Sequence, residues 1–132
     1  MSYSANVKVI VPTPSVVAIE SLLNNGAEGL NQDGDVSELN YGWTKDHAIE
    51  KMTELLVAHK HPATIIVENV NDSEVADYEI EIFEKDGVFT HKTISLPEKE
   101  RIEVLNEVLA KVEQGASVEE LKAWIHSELA KY

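Results

Sequence analysis

The first apolar run of the chain contains a single polar residue, Lys8, and ends at a proline. Residues 7–11 (VKVIV) are rich in β-branched side chains, and Pro12 follows directly. This pattern predicts a β-strand, because β-branched residues suit a pleated strand and proline interrupts its hydrogen-bond ladder. Ser15 then predicts the N-cap of a short helix. The apolar positions of that helix are Val16, Ile19, Leu22 and Leu23.

The periodic pattern is lost after this helix, which is predicted to end at residues 24–26. Residues 24–42 contain four glycines and four asparagines and show no sustained helical or strand period. Structureless stretches of this length are uncommon inside compact domains, where they serve as binding loops or stay flexible. The sequence therefore predicts a long loop over residues 24–42 and leaves both roles open.

The middle of the chain predicts one helix and three strands. Thr44 is the predicted N-cap of a helix that extends to about Lys60 and carries Ile49, Met52 and Leu56 on one stripe. Strand-like runs follow at residues 63–70, 78–84 and 88–96. Asp86-Gly87 favours a tight hairpin between the last two strands, because both residue types tolerate positive φ.

The last third of the chain predicts a helical hairpin. Leu96-Pro97-Glu98 opens the first helix, since proline suits the first turn and an acid suits the positive end of the helix dipole. Gly115 ends this helix, and Ser117 with Glu120 forms a capping box for the next. The two apolar stripes are Ile102, Leu105, Val108, Leu109 and Val112, then Val118, Leu121, Ile125 and Leu129.

The order of these elements is β-α-loop-α-β-β-β-α-α. It predicts an α+β fold with a largely antiparallel sheet of about four strands and helices packed on one face. Nothing divides the chain, so residues 1–132 are predicted to form a single domain.

Charge and composition narrow the classes of partner. The chain has 24 Asp and Glu against 11 Lys and Arg, a net charge of −13, and it contains no cysteine. Such a surface repels nucleic-acid phosphates and anionic lipids and attracts basic proteins. The N-terminus lacks a signal-peptide pattern and no run is long enough to span a membrane. We therefore expect a cytoplasmic protein with a basic protein partner and no direct contact with nucleic acid or membrane.

The negative charge is concentrated in residues 68–86, which contain eight Asp and Glu residues and one lysine. We call this segment the acidic ridge. Strand geometry points Asp77, Glu79 and Glu81 to one face while Tyr78, Ile80 and Ile82 enter the core. This acidic ridge predicts either an ordinary solvated sheet face or a docking surface on which carboxylates mimic phosphates. The predicted partner-binding acids are Glu68, Asp77, Glu79, Glu81 and Glu84.

Two aromatic residues near the predicted second helix are further candidates. Tyr41 and Trp43 either form an exposed anchor for a partner, or Trp43 acts as a hydrophobic staple that packs back on the helix. Both residues are included among the predicted partner-binding positions.

Chemical motifs are sparse. Asn31, Asp33 and Asp35 resemble the start of a calcium-binding loop, but the sixth and twelfth positions are Val36 and Gly42 instead of glycine and glutamate. These three residues are weak metal candidates, and no metal or other cofactor is predicted. Phosphate-binding, dinucleotide-binding and hydrolase motifs are absent, so no catalytic residue is predicted and no motif indicates an enzyme.

Three functional hypotheses follow. The first is a small acidic protein-binding module, acting as an inhibitor or an antitoxin-like or immunity-like neutraliser of a basic, nucleic-acid-binding protein. The second is a domain that binds a small molecule or metal ion through residues 24–42, with or without enzymatic activity. The third is a structural homo-oligomer assembled through the C-terminal helices.

Overall fold

The structure, a computed structural model, describes residues 2–24 and 26–131 and has an α+β fold. Its strands and α-helices are β1 (Ser4–Pro12), α1 (Val16–Leu22), β2 (Gly29–Asp33), β3 (Val36–Lys45), α2 (Asp46–Ala58), β4 (Ala63–Glu68), β5 (Tyr78–Lys85), β6 (Val88–Ser95), α3 (Leu96–Glu113) and α4 (Val118–Leu129). The chain divides into two compact units, Met1–Leu96 and Pro97–Tyr132. Folding of residues 1–132 as one domain stays a prediction.

The first unit is built on one antiparallel sheet. Within the described residues it has six strands in the order β2-β3-β1-β4-β5-β6. The elements from β1 to β4 follow the β-α-β-β-α-β order of ferredoxin-like folds, and the β5–β6 hairpin extends the sheet beyond β4. The predicted α+β class and antiparallel sheet are confirmed, but the predicted strand number of about four is too low.

The two additional strands lie in the segment predicted as a loop. Residues 29–45 form a hairpin in which Asp33 pairs with Val36 across a tight turn, and Gly34 has a φ of +62°. The prediction of a long loop over residues 24–42 was therefore wrong, and Asn25 within it lies outside the described residues. β2 escaped recognition because it is an exposed edge strand throughout its length, so it carries no apolar alternation.

The core lies between the sheet and the helices α1 and α2. Alternate residues of β1 are buried, and they pack with the inward positions of β4 and β5 and with the apolar stripe of α2. Full burial of one such side chain stabilises the fold by about 1.5–3 kcal/mol. The central members of this core are Val7, Val9, Ile19, Leu39, Ile49, Leu56, Ile65, Val67, Ile80 and Ile82.

The start of α2 differs from the prediction. Thr44 is still part of β3, where it pairs with Ala5, and the N-cap is Lys45 without a side-chain hydrogen bond. The sheet thus holds the backbone of Thr44 extended up to the helix. At the other end, Lys60 adopts a φ of +58° while His61 N donates to Leu56 O, a Schellman ending of the helix.

The second unit contains α4 and nearly all of α3, joined by a short turn. Gly115 has a φ of +81°, and Ser117 Oγ accepts a hydrogen bond from Glu120 N at 3.2 Å, so the predicted glycine break and cap are confirmed. Lys111 Nζ lies 5.1 Å from the centre of the Trp124 ring and links the two helices. Among the described residues, neither helix has a buried residue.

Across residues 2–24 and 26–131, every helix is too short or too polar to cross a bilayer.

Candidate functional site

A β-bulge in β3 determines which side chains reach each side of the sheet. Val7 pairs with Gly42 and Lys8 pairs with Asn40, which leaves Tyr41 as the extra residue. Gly42 has a φ of +63°, the left-handed conformation common at such bulges, and its N–H donates to Asn40 Oδ1 at 2.9 Å. The bulge reverses the alternation of the strand. Tyr41 is consequently only 8% exposed, whereas Trp43 is 62% exposed.

The outer sheet face is the side of the sheet that faces away from α1 and α2, represented here by Asn6, Lys8, Glu38, Trp43 and Glu68. Trp43 pairs with Asn6, and Asn6 pairs with Glu68, so these three side chains form a row across β3, β1 and β4. Neighbouring strands are about 4.8 Å apart, which places Glu68 roughly 10 Å from Trp43 along this row. An exposed aromatic ring therefore lies within reach of a carboxylate on the same face.

One lysine lies between two carboxylates of the outer sheet face. Lys8 Nζ lies 3.8 Å from Glu38 Oε1 and 3.8 Å from Glu68 Oε1. All three side chains are partly exposed, so water screens these ion pairs and each contributes little to stability. Two carboxylates share one ammonium, and the group keeps a net negative charge.

The acidic ridge does not form the single exposed face that was predicted. Glu79 is only 5% exposed, and its neighbours across the sheet are Ile66 on β4 and Ile94 on β6. This carboxylate is therefore buried, in contrast to the prediction. Glu81 does project from the outer side, where its Oε2 lies 3.8 Å from Lys92 Nζ.

Asp77 and Glu84, two further acids of the acidic ridge, do not lie on the outer sheet face. Asp77 precedes β5, and its carboxylate accepts hydrogen bonds of 3.1 Å from Asn69 N and from Val70 N. It closes the β4–β5 connection and does not line the outer sheet face. Glu84 pairs with Phe89 and lies on the opposite side of the strand from Glu81, close to the hairpin turn.

The structure thus brings together part of the predicted partner-binding set. Trp43 and Glu68 share the outer sheet face, and Glu81 lies on the same side of the sheet. Glu79 is also on this side of the sheet but is buried, whereas Tyr41, Asp77 and Glu84 do not lie on the outer sheet face. Lys8 and Glu38 belong to this face and were missed, although the alternation within residues 7–11 indicated that Lys8 points away from the core.

The candidate calcium ligands do not converge on a metal site. Asn31 and Asp33 are exposed on the edge strand β2, and Asp35 lies in the turn, where its backbone carbonyl accepts from Thr13 N at 2.9 Å. The described part of the chain holds no group of three His, Cys, Asp or Glu side chains arranged to bind a metal ion. Metal binding by these residues has no geometric support.

A cleft of about 440 Å³ opens on the helix side of the sheet, between α2 and the strands β5 and β6. At its base the hydroxyls of Tyr3 and Tyr78 are 2.6 Å apart, and the two rings meet edge to face at 88°. The cleft lining combines these phenols with carboxylates and two apolar side chains. Its residues are Tyr3, Asp46, Ile49, Glu50, Thr53, Glu54, Tyr78, Ile80, His91 and Thr93.

The electrostatics of the cleft are dominated by carboxylates. Burial raises the pKa of Tyr78 well above its usual value, and the hydrogen bond to Tyr3 and the negative charge of Asp46 raise it further. Asp46 Oδ1 is buried without a hydrogen-bond partner among residues 2–24 and 26–131, since His47 Nδ1 is 3.8 Å away. Glu50 and Glu54 follow Asp46 at intervals of four residues and lie on the same helix face.

Comparisons of this chain with protein-family models, with curated proteins and with solved structures give no match. The outer sheet face, the cleft and the exposed surface of the helical unit are the features of this chain that bear on its function. Fold alone carries no functional conclusion, because ferredoxin-like arrangements serve many unrelated activities.

Proposed function

We propose that this protein is an acidic protein-binding module that docks a basic protein on the outer sheet face. The observation that carries the proposal is Trp43, which is 62% exposed on an open strand surface. Tryptophan is strongly enriched among the residues that dominate binding energy at protein interfaces. A large exposed aromatic side chain in a row with Asn6 and Glu68 has the composition of such an anchor.

The charge of the first unit supports a basic partner. A Lys or Arg side chain that stacks on the Trp43 ring gains a cation–π contact, and it can also approach Glu68 in the same row. The first unit contains 16 acidic and six basic residues, so its field attracts a basic surface over a longer range. A protein whose basic surface normally contacts nucleic-acid phosphates would be neutralised by this contact, which is the inhibitor or immunity-like role.

The test begins with capture of partners from the native lysate on immobilised protein, followed by affinity measurement with the purified partner. We expect Trp43→Ala to weaken binding at least tenfold, about 1.4 kcal/mol, as for an interface anchor. Val17→Ala is the matched control, because Val17 is 77% exposed on α1, on the opposite side of the sheet. Equal binding by Trp43→Ala and the wild type would contradict the proposal.

Salt dependence provides an independent test of the electrostatic part. Steered association of an acidic face with a basic partner slows steeply as ionic strength rises. We expect the association rate to fall with added salt, and Glu68→Lys to lower it further at low salt. An association rate that is insensitive to both changes would rule out electrostatic steering.

The cleft supports a second candidate function, the binding of a small organic cation. Three carboxylates and two phenols line about 440 Å³, the lining contains no Lys or Arg, and one carboxylate oxygen of Asp46 has no hydrogen-bond partner among the described residues. This volume lies within the range of small-molecule sites. The small-molecule site that the sequence suggested in residues 24–42 is therefore proposed to lie in the cleft instead.

A pair of matched probes tests this second candidate. We expect 1,4-diaminobutane to raise the melting temperature, whereas 1,4-butanediol, which is similar in length but uncharged, leaves it unchanged. Glu50→Gln should reduce the effect of the diamine. The same response to the diamine and the diol would contradict a cation site.

A further inference from the structure

The helical unit exposes an ordered apolar stripe. On α3, the side chains of Ile102, Leu105, Leu109 and Val112 follow one another at intervals of three, four and three residues. This is the a/d spacing of a coiled-coil seam. A helix with this pattern normally buries the stripe against a partner helix.

Apolar exposure is concentrated in this unit. Eight of the 13 exposed large hydrophobic side chains of the described residues fall within Pro97–Tyr132, and they are between 41% and 66% exposed. Soluble monomers rarely leave contiguous apolar patches of several hundred Å² in contact with water. The eight are Ile102, Val104, Leu105, Leu109, Val112, Val118, Ile125 and Leu129.

The exposed area matches what a stable dimer requires. Eight aliphatic side chains at roughly half exposure present about 500 Å² of apolar surface, at about 30 Å² for each methylene or methyl group. A standard interface takes roughly 800 Å² from each partner, of which about 60% is apolar. The helical unit therefore offers one side of a standard interface.

The charges of this unit suit a second copy of the same chain. Residues 97–132 contain eight acidic and five basic residues, whereas residues 1–96 contain 16 and six. The net charge of the helical unit is therefore −3, against −10 for residues 1–96, so two helical units repel each other much less than two first units would, and a strongly basic partner is attracted mainly to the first unit. The a/d stripe is also self-complementary, because a second copy presents the same spacing across a two-fold axis.

We propose that a second copy of this chain docks on the helical unit through the stripe Ile102, Leu105, Leu109 and Val112, and that the protein is a homodimer. The dimer buries the two α3 stripes at its centre together with the exposed apolar side chains of α4, in the manner of a helical bundle, because the stripe alone supplies only about half of the apolar area that a standard interface requires. This inference does not depend on the proposed binding of a basic partner, which uses residues of the first unit.

Light scattering after size exclusion tests the proposal. We expect the wild type to have twice the chain mass of 14.7 kDa at high concentration, and to dissociate on dilution. Leu109→Glu should shift the mass to that of one chain. Ala110→Glu is the matched control, since it adds the same charge one residue away on an exposed position outside the stripe, and it should stay dimeric.

Two results would overturn the homodimer. One is a wild-type mass of 14.7 kDa at the highest attainable concentration, which requires no variant at all. The other is a Leu109→Glu protein that keeps its helical circular dichroism and remains dimeric. Trp43→Ala should leave the mass unchanged, so failure of the homodimer and failure of the partner-binding face are distinguishable.

Discussion

Tyr41 and Trp43 lie on opposite sides of the sheet although only Gly42 separates them. In a regular strand, two residues at this spacing share a face. The bulge at Tyr41 adds one residue to β3, so Tyr41 is buried on the helix side and Trp43 is exposed on the outer sheet face. The prediction that both form one aromatic anchor was therefore wrong, and so was the packing of Trp43 as a buried staple.

The bulge depends on glycine at position 42. We expect Gly42→Ala to lower the free energy of unfolding by about 1–2 kcal/mol, because alanine at a φ of +63° is strained. A Cβ at this position would also lie 2.5 Å from Glu28 Oε2, so the glutamate side chain has to move. Urea denaturation measures the loss.

Gly34→Ala is the control for backbone strain alone. Gly34 has a nearly identical φ of +62°, but a Cβ there has no atom within 4 Å. We expect the loss at Gly42 to be the larger of the two. A smaller loss at Gly42 than at Gly34 would show that the contact with Glu28 does not matter.

The hydroxyls of Tyr41, which is buried, and Tyr78, which is half-buried, predict opposite effects of substitution by phenylalanine. The Tyr41 hydroxyl has no hydrogen-bond partner among residues 2–24 and 26–131, whereas the Tyr78 hydroxyl bonds to Tyr3 at 2.6 Å. Because an unsatisfied buried hydroxyl costs about 1–3 kcal/mol, Tyr41→Phe should raise the free energy of unfolding by roughly 1 kcal/mol. Tyr78→Phe should lower it by about as much. Destabilisation by both changes would contradict this assignment.

Alkaline pH should weaken the fold through Tyr41. Burial, with a smaller effect of the Glu20 charge, raises the pKa of Tyr41 from 10.0 to about 12. The contribution of the protonated phenol to stability is complete below pH 10 and is lost as the pH rises from 10 towards 12. The difference in unfolding free energy between the wild type and Tyr41→Phe should follow this course. If the difference in unfolding free energy did not change between pH 10 and 12, the raised pKa of Tyr41 would be contradicted.

The acids of the ridge should differ in their effect on stability. Asp77→Ala removes both hydrogen bonds to the β4–β5 connection and should cost about 1–2 kcal/mol. Glu84→Ala removes the same charge from an exposed position and should change stability by no more than about 0.5 kcal/mol. Thermal unfolding of the two variants measures the contrast. Equal losses would indicate that charge, and not hydrogen bonding, governs this segment.

Local sequence pattern was sufficient to predict most of the helices and strands. The alternation in residues 7–11, the turn chemistry of Asp86-Gly87 and the cap at Ser117 all depend on neighbours in sequence, and the structure confirms the strand, the hairpin and the helix start. Asp33-Gly34 carries the same kind of turn signal for the β2–β3 hairpin. It was missed because the polar residues of β2 concealed the strand beside it.

The candidate site was harder to predict from the sequence than the secondary structure. Alternation within β5 correctly placed Tyr78 and Ile80 on one side and Glu79 and Glu81 on the other. It could not show that Glu79 is buried between Ile66 and Ile94, since those residues belong to other strands. The row formed by Trp43, Asn6 and Glu68 depends on strand order in the same way.

Residue type and local period were sufficient to predict the α+β class, the helical hairpin with its apolar stripes and the acidic charge. The face on which each side chain lies, and the side chains that surround it there, depend on tertiary structure. A one-residue bulge reverses the alternation of β3 and sends Trp43 outward, and the register of three strands brings Lys8 between Glu38 and Glu68. Such contacts arise between residues distant in sequence, so no local pattern encodes them.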